Sequence, residues 1–163
     1  HAWFEQIEWL DDGVPDESVL QRITTTKFPL LDRAFVDEQL QQFQRMLTYD
    51  SIRNALTKPA TKADVTLWRE HPFVVRDDDR LITGTFDRVV IHMHHGKPTQ
   101  ATLIDFKTDA VTEMNLSDVV ERYRPQVQAY RVALGWMLGL TQPQIHALLL
   151  FAAAGRIVHI AAE

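Results

Sequence analysis

The apolar positions of this chain change their period once. Up to about residue 66 they recur at helical spacing, and beyond it they recur in extended runs. Trp3, Phe4, Ile7 and Leu10 predict a helix over residues 1–10, closed by a turn at Asp11-Asp12-Gly13-Val14-Pro15. A short helix is expected from Asp16 to about Ile23, and Phe28-Pro29 breaks the pattern. Asp32 to about Tyr49 reads as a stronger amphipathic helix, with Phe35, Leu40, Phe43 and Leu47 as its core positions. Asp50 to Ala60 is a short helix or turn.

Three strands are expected next, at Trp68–Arg76, Leu81–His94 and Gln100–Lys107. The turns between them are Arg76-Asp77-Asp78-Asp79-Arg80 and His95-Gly96-Lys97-Pro98. Ser117 can cap a helical segment. Pro125 fits the first turn of a main helix running to about Leu138, with Gly139 as its stop. Gln144–Phe151 and Arg156–Ala162 are two last strands. Helices, a meander, a helix and strands again predict an α/β fold, a central mixed sheet flanked by helices. Residues 1–163 are expected to form one domain, with a mostly helical part over 1–66 and a sheet core over 67–163.

Composition narrows the classes. With 163 residues, 45% of them apolar, the chain can bury a real core. No apolar run reaches the length of a membrane span, so no membrane partner is expected. Cysteine is absent, which excludes disulfides, thiol nucleophiles, thiolate zinc sites and iron–sulfur clusters, and fits a cytoplasmic location. The start carries no signal-peptide pattern and no Met, so the chain reads as a piece of a longer protein. A net charge of −5 argues against strong autonomous DNA binding. No Gly-x-x-x-x-Gly-Lys-[Ser/Thr] loop is present, so ATP-driven motor chemistry lies elsewhere.

The candidate chemistry centres on Leu103-Ile104-Asp105-Phe106-Lys107-Thr108-Asp109. In a strand, Asp105 and Lys107 share a face. Gly84-Thr85-Phe86-Asp87-Arg88-Val89-Val90 brings a second acid, Asp87. Two carboxylates suit a hard cation such as Mg²⁺. A lysine beside them can add positive charge where a phosphoryl transition state gains negative charge. Asp-x-Lys alone is ordinarily a surface ion pair. The company it keeps changes that: Asp87, then Gln126 and Tyr130 at i and i+4 on one helix face, and His1 at the head of the chain. Glu70 is as readily a strand-end charge as a site residue. Thr108 and Asp109 shape the turn after the lysine. His92, His94 and His95 lack the second ligand cluster that zinc needs and fit an exposed hairpin tip. Trp3, Phe4, Trp9, Trp68 and Trp136 are expected in the core or at docking surfaces. Arg122, Arg124 and Arg131 offer a local track for phosphates.

Read in order, His1-Ala2-Trp3-Phe4-Glu5, Glu70-His71-Pro72-Phe73, Gly84 to Val89, Ile104 to Asp109, and Tyr123-Arg124-Pro125-Gln126 through Tyr130 resemble the motifs of RecB/AddA-type nuclease domains. These are the C-terminal domains of UvrD-like chains in bacterial helicase–nucleases, a branch of the PD-(D/E)xK superfamily. The resemblance spans nearly the whole chain. It implies a restriction-endonuclease-like core. It also implies His1, Asp87 and Asp105 as metal ligands, Lys107 as the catalytic lysine, and Gln126 and Tyr130 lining the site near the DNA backbone. The implied cofactor is Mg²⁺, with Mn²⁺ as a substitute. The lack of cysteine places the chain in the branch without an iron–sulfur cluster. The implied activity is a Mg²⁺-dependent exonuclease on single-stranded DNA in double-strand-break repair. Its implied partners are a helicase motor in the same full-length chain and a partner subunit. Two alternatives stand beside this: a silent nuclease fold that only binds DNA or a partner, which the intact acids and lysine disfavour, and a stand-alone exonuclease.

Overall fold

Two tight turns lay down one side of the sheet. The computed structural model describes residues 2–163, the side chain of Arg80 excepted. Strand β1 (Asp64–Asp77) pairs antiparallel with β2 (Arg80–His94), and β2 with β3 (Lys97–Lys107). The second loop is only His95-Gly96, with φ of 48° and 74°. Positive φ at both central residues is what a two-residue type I′ hairpin needs. The turn is therefore shorter than the four residues expected, and β3 begins at Lys97 rather than Gln100.

Strand β4 (Ile145–Phe151) runs parallel to β3, and β5 (Arg156–Ile160) is antiparallel to β4. A parallel neighbour requires a crossover, and helix α4 (Leu116–Leu138) supplies it. The result is a mixed five-stranded sheet in the order β1-β2-β3-β4-β5, the α/β class that the sequence predicts. Leu103 to Phe106 are all buried, as expected of a central strand covered on both faces.

Helix α4 covers one face, where Val127, Ala133 and Leu134 meet Val89, Leu103 and Leu149. The other face is covered by the N-terminal part: α1 (Glu17–Lys27), α2 (Arg33–Met46) and α3 (Asp50–Leu56). There Phe4, Ile7, Leu40 and Phe43 pack with Ile104, Phe106, Leu148 and Leu150. No helix among the described residues is long and apolar enough to cross a membrane.

Three expectations need correction. Residues 1–10 do not form one helix, but two 3-10 turns at Phe4–Gln6 and Leu10–Asp12. Ile7 and Trp9 are both buried, and residues two apart cannot share a helix face. Extended backbone at 7 and 9 lets both point inward. In α2 the buried stripe is Val36, Leu40 and Phe43, while Phe35 faces solvent. Pro125 lies well inside α4, which continues through it at the cost of one backbone bond. Trp136, 66% exposed, falls under the docking half of its expectation and not the core half.

Candidate active site

The site begins where β2 and β3 part. The last ladder pair is Arg88 with Ile104, and one step further the register sets Asp87 opposite Asp105. The ladder is not continued by backbone here. Asp87 Oδ2 instead accepts a bond from the Phe106 N–H at 2.8 Å, which anchors this carboxylate at the strand fork. On β1, Arg69 pairs with Arg88 and His71 with Phe86, so Glu70 falls opposite Asp87. Glu70, Asp87 and Asp105 thus occupy one row across three strands. Glu70 has a φ of 45°, the left-handed region that costs a non-glycine residue energy. A cleft of about 460 Å³, lined by Glu5, Gln6, Arg69, Glu70 and His71, opens at this end of the row.

Asp105 is 4% exposed, and Lys107 follows it on the same face. Lys107 Nζ lies 2.7 Å from the buried Asp105 Oδ2, an ion pair. Burial pushes the Asp105 carboxyl up to about 6. The Lys107 charge opposes this rise, and the nearby Asp87 adds to it.

Helix α4 brings the rest. Lys107 Nζ donates to Gln126 Oε1 at 3.3 Å. The same ammonium sits over the Tyr123 ring, 3.9 Å from its centroid. Tyr123 in turn donates its hydroxyl to Asp109 Oδ2 at 2.8 Å, which raises the phenol above its usual range. Tyr130 sits in an aromatic cluster, its ring edge-on to Phe73 and Phe86, with its hydroxyl over Gly84. A Cβ at Gly84 would come within 2.6 Å of that hydroxyl, so any side chain there requires the Tyr130 ring or the strand to shift. Of the expected site residues, then, Asp87, Asp105, Lys107 and Gln126 meet, while Tyr130 supports β2. His1 lies outside the described residues.

Tyr123 and Asp109 are the neighbours of the lysine that strand phase could not reveal. The available signal was helical: 123, 126 and 130 are spaced by three and four and form one stripe. Arg88 also has a defined task. Its buried guanidinium donates to the carbonyls of Ile7 and Glu8 and lies over Trp9, tying the N-terminal segment to β2. Burial and the neighbouring Arg69 lower it to about 10.

The three arginines of the expected phosphate track each have a partner within the protein. Arg122 faces Asp109 at 3.8 Å, Arg124 pairs with Glu121 at 2.7 Å, and Arg131 is buried, bonded to Ile160 O and Gln128. Burial also lowers its pKa.

The donor set fits a hard divalent cation. It consists of carboxylate oxygens from Asp87 and the buried Asp105, which meet at one strand fork. Among the described residues no third His, Cys, Asp or Glu completes a ligand group.

A family model described as the PD-(D/E)XK nuclease superfamily matches residues 1–161. The chain is also similar to the AddA polypeptide of the ATP-dependent helicase/nuclease of Levilactobacillus brevis. The two are 28% identical over 172 aligned positions, covering 91% of this chain. The chain spans 14% of that relative's length.

Proposed function

The chain belongs to the PD-(D/E)XK nuclease superfamily, and from that premise we propose that it is a Mg²⁺-dependent exonuclease domain of a RecB/AddA-like helicase–nuclease, cleaving single-stranded DNA. The observation that carries this reading is the meeting of Asp87, Asp105 and Lys107 where β2 and β3 part, with the buried Asp105 carboxylate 2.7 Å from the lysine ammonium. Asp87 and Asp105 would hold the cation, with His1 as a further ligand. When bound, the cation supplies charge against a phosphoryl oxygen and acidifies a water.

The protein's own groups do the rest. Lys107 holds a positive charge beside the carboxylates, placed for the negative charge that develops at the phosphate. Gln126 and the Tyr123 ring hold that ammonium from the helix side. Phe106 N–H fixes Asp87, so one ligand is oriented by the backbone itself. Tyr130 acts from behind, by holding Phe86 and Gly84 of the strand that carries Asp87.

The helicase named for the relative is a property of that protein. For this chain we infer a motor in the same full-length polypeptide and a partner subunit. We infer likewise a role in double-strand-break repair and a cytoplasmic setting. The test is cleavage of end-labelled single-stranded DNA by the purified chain in Mg²⁺, Mn²⁺ and EDTA. Cleavage with either metal and none in EDTA is expected. Binding of DNA without cleavage in any metal would favour the silent-fold alternative.

A further inference from the structure

A groove opens beside Thr108, just past the end of β3 and on the sheet face covered by the N-terminal helices, between α2 and the 3-10 turn Ala152–Ala154. Its near end, about 170 Å³, is lined by Thr108, the residue after Lys107, with Trp3, Gln39 and Gln42. Its far end, about 290 Å³, is lined by Gln42, Arg45, Met46 and Tyr49. Gln42, Met46 and Ala153 border both ends, so the groove is continuous. The sequence keeps one wall low. Ala152, Ala153 and Ala154 are followed by Gly155, and no side chain there extends past Cβ.

The far end is built, not incidental. Gly155 has a φ of 60°, and a Cβ there would lie 2.6 Å from Tyr49 Cγ. Ser51 Oγ donates to the Gly155 carbonyl at 2.6 Å and pins the turn. The Tyr49 ring therefore rests on bare backbone and remains 40% exposed. Arg45, one helical turn before it, is exposed and has no ion pair among the described residues. That sets it apart from Arg122, Arg124 and Arg156, each of which has an acidic partner.

We propose that this groove carries the unpaired DNA strand adjoining the scissile phosphate. Arg45 takes a backbone phosphate and Tyr49 stacks a base. The Gln39 and Gln42 amides, each both donor and acceptor, tolerate any base edge. The inference rests on the nuclease reading above and adds to it the path of the strand.

The test measures binding and contact rather than turnover. Labelled oligothymidylates of graded length, from two to ten nucleotides, are titrated with this chain at low salt in EDTA, and affinity is read by anisotropy. Affinity should climb with length. Arg45→Gln and Tyr49→Ala should each remove about tenfold of that gain, the scale of one base–aromatic stack. Tyr49→Phe, which keeps the ring, should retain it. In the unaltered chain, 5-iodouracil photo-cross-linking should place adducts on the peptide containing Tyr49, a result independent of how the alanine variant folds. Unchanged length dependence in both variants, with adducts elsewhere, overturns the groove while a cleaving chain leaves the nuclease reading standing. Absence of binding, cross-linking and cleavage alike overturns both.

Discussion

Lys107 is held from two sides. Asp105 Oδ2 lies 2.7 Å from its ammonium within the sheet, and the Tyr123 ring meets the same ammonium 3.9 Å from its centroid across the sheet–helix interface. Tyr123 is itself fixed by its bond to Asp109. A flexible four-carbon side chain thus reaches a single position because a strand and a helix converge on its tip. Such a cation–ring contact is worth about 0.5–2 kcal/mol. Tyr123→Leu should lower the rate constant of cleavage by about tenfold, with KM changed little. Tyr123→Phe, which keeps the ring and loses only the tether to Asp109, should fall between the two. Equal rates for all three proteins in single-turnover assays would remove Tyr123 from the site.

If Asp105 holds the proposed cation, metal binding should depend on pH. Its carboxyl is raised to about 6, first by burial. In the unfolded chain it titrates near the ordinary carboxylate value of about 3.9. The folded, metal-free state therefore binds the extra proton between roughly pH 4 and 6. The stability this contributes is full below the unfolded value and is lost as pH rises through about 6. Metal competes with that proton, so affinity for Mn²⁺ should rise through about pH 6 and level off above it. Calorimetric titration across pH 5–8 checks the metal arm. Thermal melts of the metal-free Asp105→Asn variant should lose the corresponding slope, and a slope unchanged from the parent would refute the assignment.

The acids and the lysine themselves admit a blunter test. Asp87→Asn, Asp105→Ala and Lys107→Ala should each reduce cleavage by at least about 100-fold, since each would remove a proposed ligand or preorganised charge. Circular dichroism should stay near that of the parent, because these side chains gather at a strand end outside the two apolar cores. Near-normal cleavage by any of the three would refute its role.

What could be read in the sequence follows from locality. Asp105 and Lys107 share a face in any strand, so their juxtaposition needed no tertiary information. The succession of strands and the main helix along the chain followed from the change of period, while the parallel pairing of β3 with β4 did not. The turn residues His95-Gly96 fixed the hairpin, although not its length. The N-terminal segment was misread because 3, 4, 7 and 10 satisfy a helical period while Trp9, equally buried, does not. Tyr123 could be placed on the stripe of Gln126 but not beside Lys107, since that depends on where α4 docks. The arginines of α4 read in sequence as a local track for phosphates, with their partners out of sight. Their partners, Asp109 for Arg122 and the Ile160 carbonyl for Arg131, lie 13 and 29 residues away and are met only in the fold.

Gly84 offers a test of the wall behind Asp87. Gly84→Ala would set a methyl 2.6 Å from the Tyr130 hydroxyl and 2.8 Å from its Cζ. Overpacking of this kind costs about 1–3 kcal/mol. Because the clash lies with one ring, Tyr130→Ala should absorb much of it. The double variant should then be more stable than the sum of the two single losses predicts, a coupling readable in urea melts. Strict additivity would mean that the strand shifts instead and that the ring does not set the position of β2.

The pairing of the α4 arginines also sets how the chain meets DNA. At low ionic strength a strand gains from each cation free to neutralise a phosphate. For single strands the logarithm of affinity falls with that of salt at about −0.7 per phosphate contacted. Arg122 and Arg124 face carboxylates and Arg131 is buried, so these three supply little. Lys107 and Arg45 remain as candidates near the site and its groove. The slope for this chain should then lie at about −1 to −2, shallow for a DNA-binding protein, and affinity at physiological salt should be weak. A net charge of −5 acts in the same direction. Attachment to a translocating motor would compensate by raising the local strand concentration, with no new contact in this chain. Anisotropy titrations of a dT20 oligonucleotide from 25 to 200 mM salt measure the slope directly. Tight binding that persists at the upper end would show that the chain engages DNA on its own, and delivery by a motor would no longer be needed to explain how its substrate arrives.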